Sequence, residues 1–239
     1  CQSRRERKWQ MHTIQTSQER ITATLQRKPV DRIPMVDICY WPETLKRWHS
    51  EGLPPDADVC KLFGLDRIER IGFDTGIAMP ERILEETDEH ILKIDSHGRK
   101  MKAWRNTTAT PDCLEYPLRS PADWNRYKQG FDMDYRKRNP NYAAAFKTAA
   151  ARGDFIALTA SEPAWYFINT LLGFDEGLVC LMTEPEASAR VLNEYTDYLL
   201  SLLDKIIAEG GLRPDALWFF ADLCYKNGML FSPAVYNEL

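Results

Sequence analysis

The chain has 239 residues, 44% hydrophobic and 28% charged, with a net charge of −4 and a pI near 5.7. That is ordinary globular composition, long enough for a sizeable core, and the acidic balance gives no electrostatic reason to expect nucleic acid. The six cysteines, at 1, 39, 60, 113, 180 and 224, form no Cys-x-x-Cys pair, and no apolar run nears the ~20 residues a membrane span needs; both point to reduced thiols and a cytoplasmic protein.

Residues 1–12 read as a disordered basic lead carrying the cluster Arg4-Arg5-Arg7-Lys8 around Glu6. The first residue is Cys1, not Met, and reads as an incomplete chain. Thr16 and Glu19 form a capping box opening a short helix with Ile21 and Leu25 on one face, ended by Pro29. "IPMVDICY" (33–40) reads as a buried strand with Asp37 inside it, and Pro42-Glu43 opens a helix closed by Gly52. Residues 67–80 read as another strand region. "HILKIDSHGRKMKAW" (90–104) alternates about Asp95-Ser96-His97-Gly98 and predicts a β-hairpin, inserted among parallel elements. Residues 105–145 read as surface loops and short helices, with a helix from Ala143 to Arg152 closed by Gly153. "FIALTA" (155–160) is a continuous apolar strand, followed by a helical stretch from Trp165 to Leu172. The clearest helix spans Pro185 to Glu209. A second capping box at Thr183 and Glu186 opens it and Gly210-Gly211 ends it, with Val191, Tyr195, Tyr198, Leu202 and Ile206 on its apolar face. A last apolar strand, "ALWFF" (216–220), leads to Asp222 and Tyr225-Lys226-Asn227-Gly228. Strand–helix alternation with continuously apolar strands predicts an α/β fold around a parallel sheet. No Gly-rich loop follows the first strand, which argues against a nucleotide-binding doubly wound domain.

Asp37, Glu162 and Asp222 stand in or just after apolar strands. Parallel α/β folds bind ligands at strand carboxyl ends, where such acids can hold substrate or move a proton. Glu162, before Pro163, serves either as a helix cap or as a functional acid. Asp37 is either functional or held by a buried hydrogen bond, and Asp222 reads as functional. Tyr225 is a packing aromatic or a donor, Lys226 a binding group or a solvated lysine. The four histidines are scattered, and His97 reads as a turn residue. No zinc-ligand spacing and no Gly-x-Ser-x-Gly is present.

In this order, "TSQERITATLQRKPVDRIP", "YWPETLKRWHSEGLP", "NTLLGFDEGLVCLMTEPE" and "FFADLCYKNGMLFSP" resemble the uroporphyrinogen decarboxylase superfamily, over about Ser17 to Leu239. The resemblance implies a (β/α)8 TIM barrel with its cleft at the carboxyl face. A barrel takes ~250 residues for eight units and the loops here leave room for about five strands. The chain is therefore expected to be a partial barrel (13–239), broken at Leu239, with an exposed apolar edge and a tendency to associate, as a homodimer for example. The decarboxylases' Arg-Gln-Ala-Gly-Arg segment is replaced by Asp37-Ile38-Cys39-Tyr40-Trp41-Pro42-Glu43, without the arginines that would grip a tetrapyrrole's carboxylates. Their Gly-Ala-Pro-Trp-Thr-Leu region reads Ser161-Glu162-Pro163-Ala164-Trp165-Tyr166, with Asn169 where a tyrosine is expected. The Tyr-Lys-Asn-Gly loop is similar to the methyltransferase branch. The function implied is corrinoid or thiol methyl transfer on a small molecule, with tetrapyrrole decarboxylation or non-catalytic binding as alternatives. On this reading Asp222, Asp37 and Glu162 are the catalytic acids, and Tyr225, Lys226, Asn227, Tyr40 and Trp41 bind substrate. Zinc and a corrinoid, with a corrinoid protein as partner, would depend on His-x-Cys and Cys ligands after Leu239.

Overall fold

The computed structural model describes residues 14–105, 110–134, 137 and 139–238; the expected basic lead lies outside them. The amino-terminal part holds helices α1 (Ser17–Leu25), α2 (Pro42–Ser50) and α3 (Val59–Leu62), then strand β1 (Ile68–Gly72). Four antiparallel strands follow: β2 (Arg82–Glu86), β3 (His90–Ile94), β4 (Lys100–Trp104) and β5 (Asp112–Glu115). Next come α4 (Trp124–Tyr127), α5 (Tyr142–Arg152), β6 (Phe155–Ser161), α6 (Pro163–Trp165) and a π-turn over Tyr166–Leu171. The rest is α7 (Phe174–Thr183), α8 (Pro185–Gly210), β7 (Ala216–Phe220), a small hairpin of β8 (Cys224–Tyr225) and β9 (Gly228–Met229), and α9 (Pro233–Glu238).

The parallel sheet takes its strands in chain order, β1-β6-β7, with Leu158 level with Ile71 on one side and Leu217 on the other. One face turns Ile71, Ile156 and Leu158 into the core. The core's other wall is α8, which contributes Val191, Tyr195, Tyr198, Leu202 and Ile206, as its apolar period predicts. Tyr166 from the π-turn stacks on Tyr195 at 4.3 Å, and Phe131 stacks on Tyr198 at 4.1 Å. The structure thus bears out a mixed α/β fold with a parallel sheet.

Helix α1 lies across the amino ends of all three parallel strands. The Gln18 amide donates to the Gly153 carbonyl at 2.9 Å, ahead of β6. Ser17 Oγ accepts from the Arg67 amide at 3.0 Å, ahead of β1, and Gln18 Nε2 donates to Asp215 at 2.9 Å, ahead of β7. Gly153 is needed at this junction: it has φ 73°, and a Cβ there would stand 2.8 Å from the Thr16 side chain. The Thr16–Glu19 capping box forms as expected. Beneath α1 the buried Arg20 guanidinium makes a forked contact with Asp31 (2.6 and 2.7 Å) and bonds Asp66. Asp66 also takes Arg32 at 2.7 Å and the Met35 amide at 3.0 Å. The Asp-Arg-x-Pro segment is therefore fixed by ion pairs to α1 and to the start of β1.

Several expectations need correction. Residues 33–40 form no strand and are not buried: Ile33, Met35, Val36 and Ile38 are exposed. The segment runs beside β1 with one ladder-like bond, Asp66 N–H to the Met35 carbonyl (2.6 Å), and Pro34 has no N–H to extend it. "ALWFF" is a strand, as read, and stands at the edge of the parallel sheet. β7 pairs with β6 on one side, and Leu217, Phe219 and Phe220 stay exposed. The second capping box is absent. Glu184, not Thr183, precedes α8, and the Thr183 hydroxyl donates to the Val179 carbonyl at 3.0 Å. Helix α1 stops at Leu25, before Pro29, with Arg27 in the left-handed region. The predicted hairpin at 90–104 is present, in register His90 with Trp104, but it is the middle of the four-stranded sheet. Nor is 105–145 all surface: Trp124 and Tyr127 are core residues.

Candidate functional site

With α1 across the amino ends, the carboxyl ends of β1, β6 and β7 are the open side of the parallel sheet. Asp74 and Thr75 follow β1. Asp74 Oδ1 accepts from the Gly76 amide at 2.9 Å, and Thr75 is buried. Glu162 follows β6, and its amide donates to the Phe220 carbonyl at 3.2 Å, which brings it beside the end of β7. Asp222 stands exposed two residues beyond that carbonyl. The next residues form the β8–β9 hairpin, in register Tyr225 with Gly228, so Lys226 and Asn227 sit exposed at its tip. Glu162 thus follows β6, and Asp222, Tyr225, Lys226 and Asn227 follow β7 along the chain.

Asp37, Tyr40 and Trp41 are not brought there. Asp37 is exposed, and its Oδ1 accepts its neighbour Ile38 N–H at 2.8 Å. Asp37 and Tyr40 line a separate cavity of about 380 Å³ with Asp58, Cys60 and Arg67–Glu69, at the starting half of β1. Partial burial and then Asp37 push the Tyr40 hydroxyl up. Tyr40 packs on Trp48 (5.1 Å), which packs on Phe63 (5.9 Å). Trp41 is the exposed cap residue of α2. The segment lacks the strand pairing that would have carried Asp37 to a strand end.

Glu162 has a defined structural part. Its carboxylate accepts from the Trp165 amide at 2.8 Å, capping the turn that Pro163 opens. Glu162→Ala is therefore expected to lower unfolding stability by about 0.5–2 kcal/mol, read by urea denaturation, and Glu162→Gln, which keeps an acceptor oxygen, by less.

A cluster that the sequence did not reveal lies at the end of β1. The His97 turn of the inserted sheet reaches over Gly76, where a Cβ would stand 2.3 Å from His97 Nδ1. His97 Nδ1 is 3.1 Å from the Tyr166 hydroxyl, which is 3.0 Å from the Tyr127 hydroxyl. Tyr127 in turn donates to the His97 carbonyl at 3.1 Å. Burial pushes the Tyr127 and Tyr166 hydroxyls well above the ordinary tyrosine value. Asp95 holds the turn, accepting from the amides of His97 (3.0 Å) and Arg99 (2.9 Å) and from Arg99 Nε (2.8 Å). The one sequence signal was Asp-Ser-His-Gly at a hairpin centre. Its partners come from a four-residue helix and a π-turn, too short or too irregular for periodicity to show.

The sheet face away from the core lines an opening of about 530 Å³ with Ile68, Glu69, Arg70, Thr159, Trp218 and Phe220. The Arg70 guanidinium lies 5.7 Å from the Trp218 ring centre and donates to the Ile38 carbonyl at 2.5 Å. Among the described residues no three His, Cys, Asp or Glu side chains gather as a metal site, and no helix is long and apolar enough to cross a membrane.

The fold defines a mixed α/β protein with a parallel sheet, with Thr75, Glu162 and Asp222 following its three strands. No protein-family model, curated protein or solved structure matches the chain.

Proposed function

We propose that this chain is an arc of a uroporphyrinogen-decarboxylase-like (β/α)8 barrel that carries out methyl transfer on a small molecule at the strand carboxyl ends. The observation that carries the reading is the placement of α1 across the amino ends of three parallel strands taken in chain order, opposite the end that gathers Thr75, Glu162 and Asp222. Consecutive order is how a barrel wall is built, and its ligands bind at the carboxyl face. The preference for methyl transfer over decarboxylation rests on charge. The opening beside the sheet carries Arg70 with Glu69 next to it, which is no match for a tetrapyrrole's many carboxylates. Its volume, about 530 Å³, suits a small substrate; a corrinoid would be presented by a partner protein. The described residues do not fit a zinc ion, so no step here runs through a metal. Asp222 and Glu162 would orient the substrate and exchange protons with it.

The test is the spectral change of methylcobalamin on demethylation, with the protein expressed from its complete reading frame and a panel of thiols. Turnover is expected, and Asp222→Asn should slow it by about 10²-fold or more. No turnover with any thiol, together with folded protein, would favour a non-catalytic binding role.

A further inference from the structure

Side chains alternate across a strand. Ile71, Ile156 and Leu158 take the core side of the parallel sheet, so Arg70, Ala157 and Thr159 take the other. The register puts Trp218 and Phe220 on that same side, level with Thr159 and Ser161. β1 and β7 stand two strand spacings apart, roughly 10 Å. Arg70 and Trp218 still meet, guanidinium 5.7 Å from ring centre, because the residue level with Arg70 on β6 is only an alanine, Ala157. The Ile38 carbonyl accepts from Arg70 Nη2 and holds the guanidinium in place. The other charged residue at this opening, Glu69, is engaged by Arg152 at 2.8 Å. Among the described residues no carboxylate pairs with Arg70, and no side chain or carbonyl bonds its Nε or Nη1, the Thr159 hydroxyl or Trp218 Nε1.

We propose that this face binds a monocarboxylate with a flat apolar body, the carboxylate on the Arg70 guanidinium and the body against Trp218 and Phe220. It names the substrate class of the proposed function and rests on that reading for the reaction itself. A guanidinium offers paired N–H groups that match the two oxygens of a carboxylate, and a single uncommitted cation balances a single negative charge. Trp218 and Phe220 are two residues apart, about 7 Å along the strand, which is the reach of one aromatic ring. The register also gives the ligand a direction. Arg70 lies at mid-strand, whereas Phe220 is level with Ser161, just before Glu162. A body lying from Arg70 toward Phe220 therefore brings its far end out at the carboxyl ends of β6 and β7.

The experiment is calorimetric titration of the full protein with benzoate, benzamide and acetate. Benzoate is expected to bind saturably. Benzamide keeps the ring without the charge and acetate the charge without the ring, so each should bind at least about tenfold more weakly, the scale of a charge-assisted hydrogen bond or a buried ring. Arg70→Gln should weaken benzoate by a similar factor and leave benzamide unchanged. Trp218→Leu should weaken benzoate and leave acetate unchanged. In nitrogen–proton NMR the Trp218 indole signal, assigned by its loss in Trp218→Leu, should shift with benzoate. Circular dichroism establishes that both variants are folded. No saturable binding of benzoate, benzamide bound as tightly as benzoate, an unchanged benzoate affinity in either folded variant, or an unmoved Trp218 signal would each overturn the proposal. Benzoate binding without demethylation of methylcobalamin would keep this site and sink methyl transfer. Demethylation without benzoate binding would do the reverse.

Discussion

Arg20→Met is expected to destabilise the protein by about 3–5 kcal/mol, the range for breaking a buried ion pair on one side. The argument is one of orphaned charge. Asp66 is 2% exposed and Arg20 3%, so the carboxylate left behind keeps its desolvation cost and loses its main buried cation. Arg32 still pairs with Asp66 but from a partly exposed position. Asp31 loses a forked partner, and the Gln15 carbonyl, which accepts from the same guanidinium at 2.5 Å, loses a donor. Urea denaturation followed by circular dichroism at neutral pH measures the loss. Asp66→Leu in the Arg20→Met background should recover part of it, because the unpaired buried charge goes too. The pH dependence has a defined sign. Arg20 holds the Asp31 carboxyl below the ordinary carboxylate range. Its contribution is thus fully present above the unfolded value of ~3.9 and is lost as pH falls from there through the folded value. The gap between wild type and Arg20→Met should therefore narrow in acid. A gap that stays constant down to the acid limit would mean that the ion pairs are not what Arg20 contributes.

The same network shows what could and could not be read from the residues. "QER" and "DRIP" were legible as a helix start and a motif, because capping and proline chemistry act over three or four positions. That Arg20 would meet Asp66 across 46 residues was not legible, since nothing local marks which surface polar residue turns inward. Long periodic elements were readable: α8, α5 and β6 fall where apolar period and glycine stops put them. The strand expected at 33–40 failed because apolar, β-branched composition reports a preference for extended backbone, whereas a strand also needs a partner for its amides. β2 was missed for the opposite reason. All its residues are exposed and its register slips between Ile83 and Glu85, so no alternation marks it. The site divided along the same line. Acids at the ends of real strands, Glu162 and Asp222, were correctly placed there. Asp37 was misplaced with its strand. His97, Tyr127 and Tyr166 converge from three elements far apart in the chain, and no single stretch of sequence holds that information.

Trp124→Ala should be comparably damaging, by about 3–5 kcal/mol, although its segment, 105–145, reads as surface loops and short helices. Trp124 is 1% exposed and packs edge-on against Phe131 at 5.5 Å and stacked with Tyr127 at 6.0 Å. Its Nε1 donates to Glu194 Oε2 on α8 at 2.7 Å, where Lys128 also bonds at 2.7 Å. Truncation thus opens a cavity the size of an indole between α4 and α8 and removes a donor to Glu194. Trp124→Phe keeps most of the ring and leaves Lys128 on Glu194, so its cost should be nearer 1–2 kcal/mol, a partial cavity with one lost hydrogen bond. Because Tyr127 beside it carries the bond to the His97 turn, the damage should spread in a particular direction. In hydrogen exchange on Trp124→Ala, amides of β3 and β4 should lose protection before those of β6, which stays held by its two parallel neighbours. Equal loss across both sheets would mean instead that the inserted sheet is anchored independently of α4, and that the Tyr127 bond to the His97 carbonyl is not what ties it to the core.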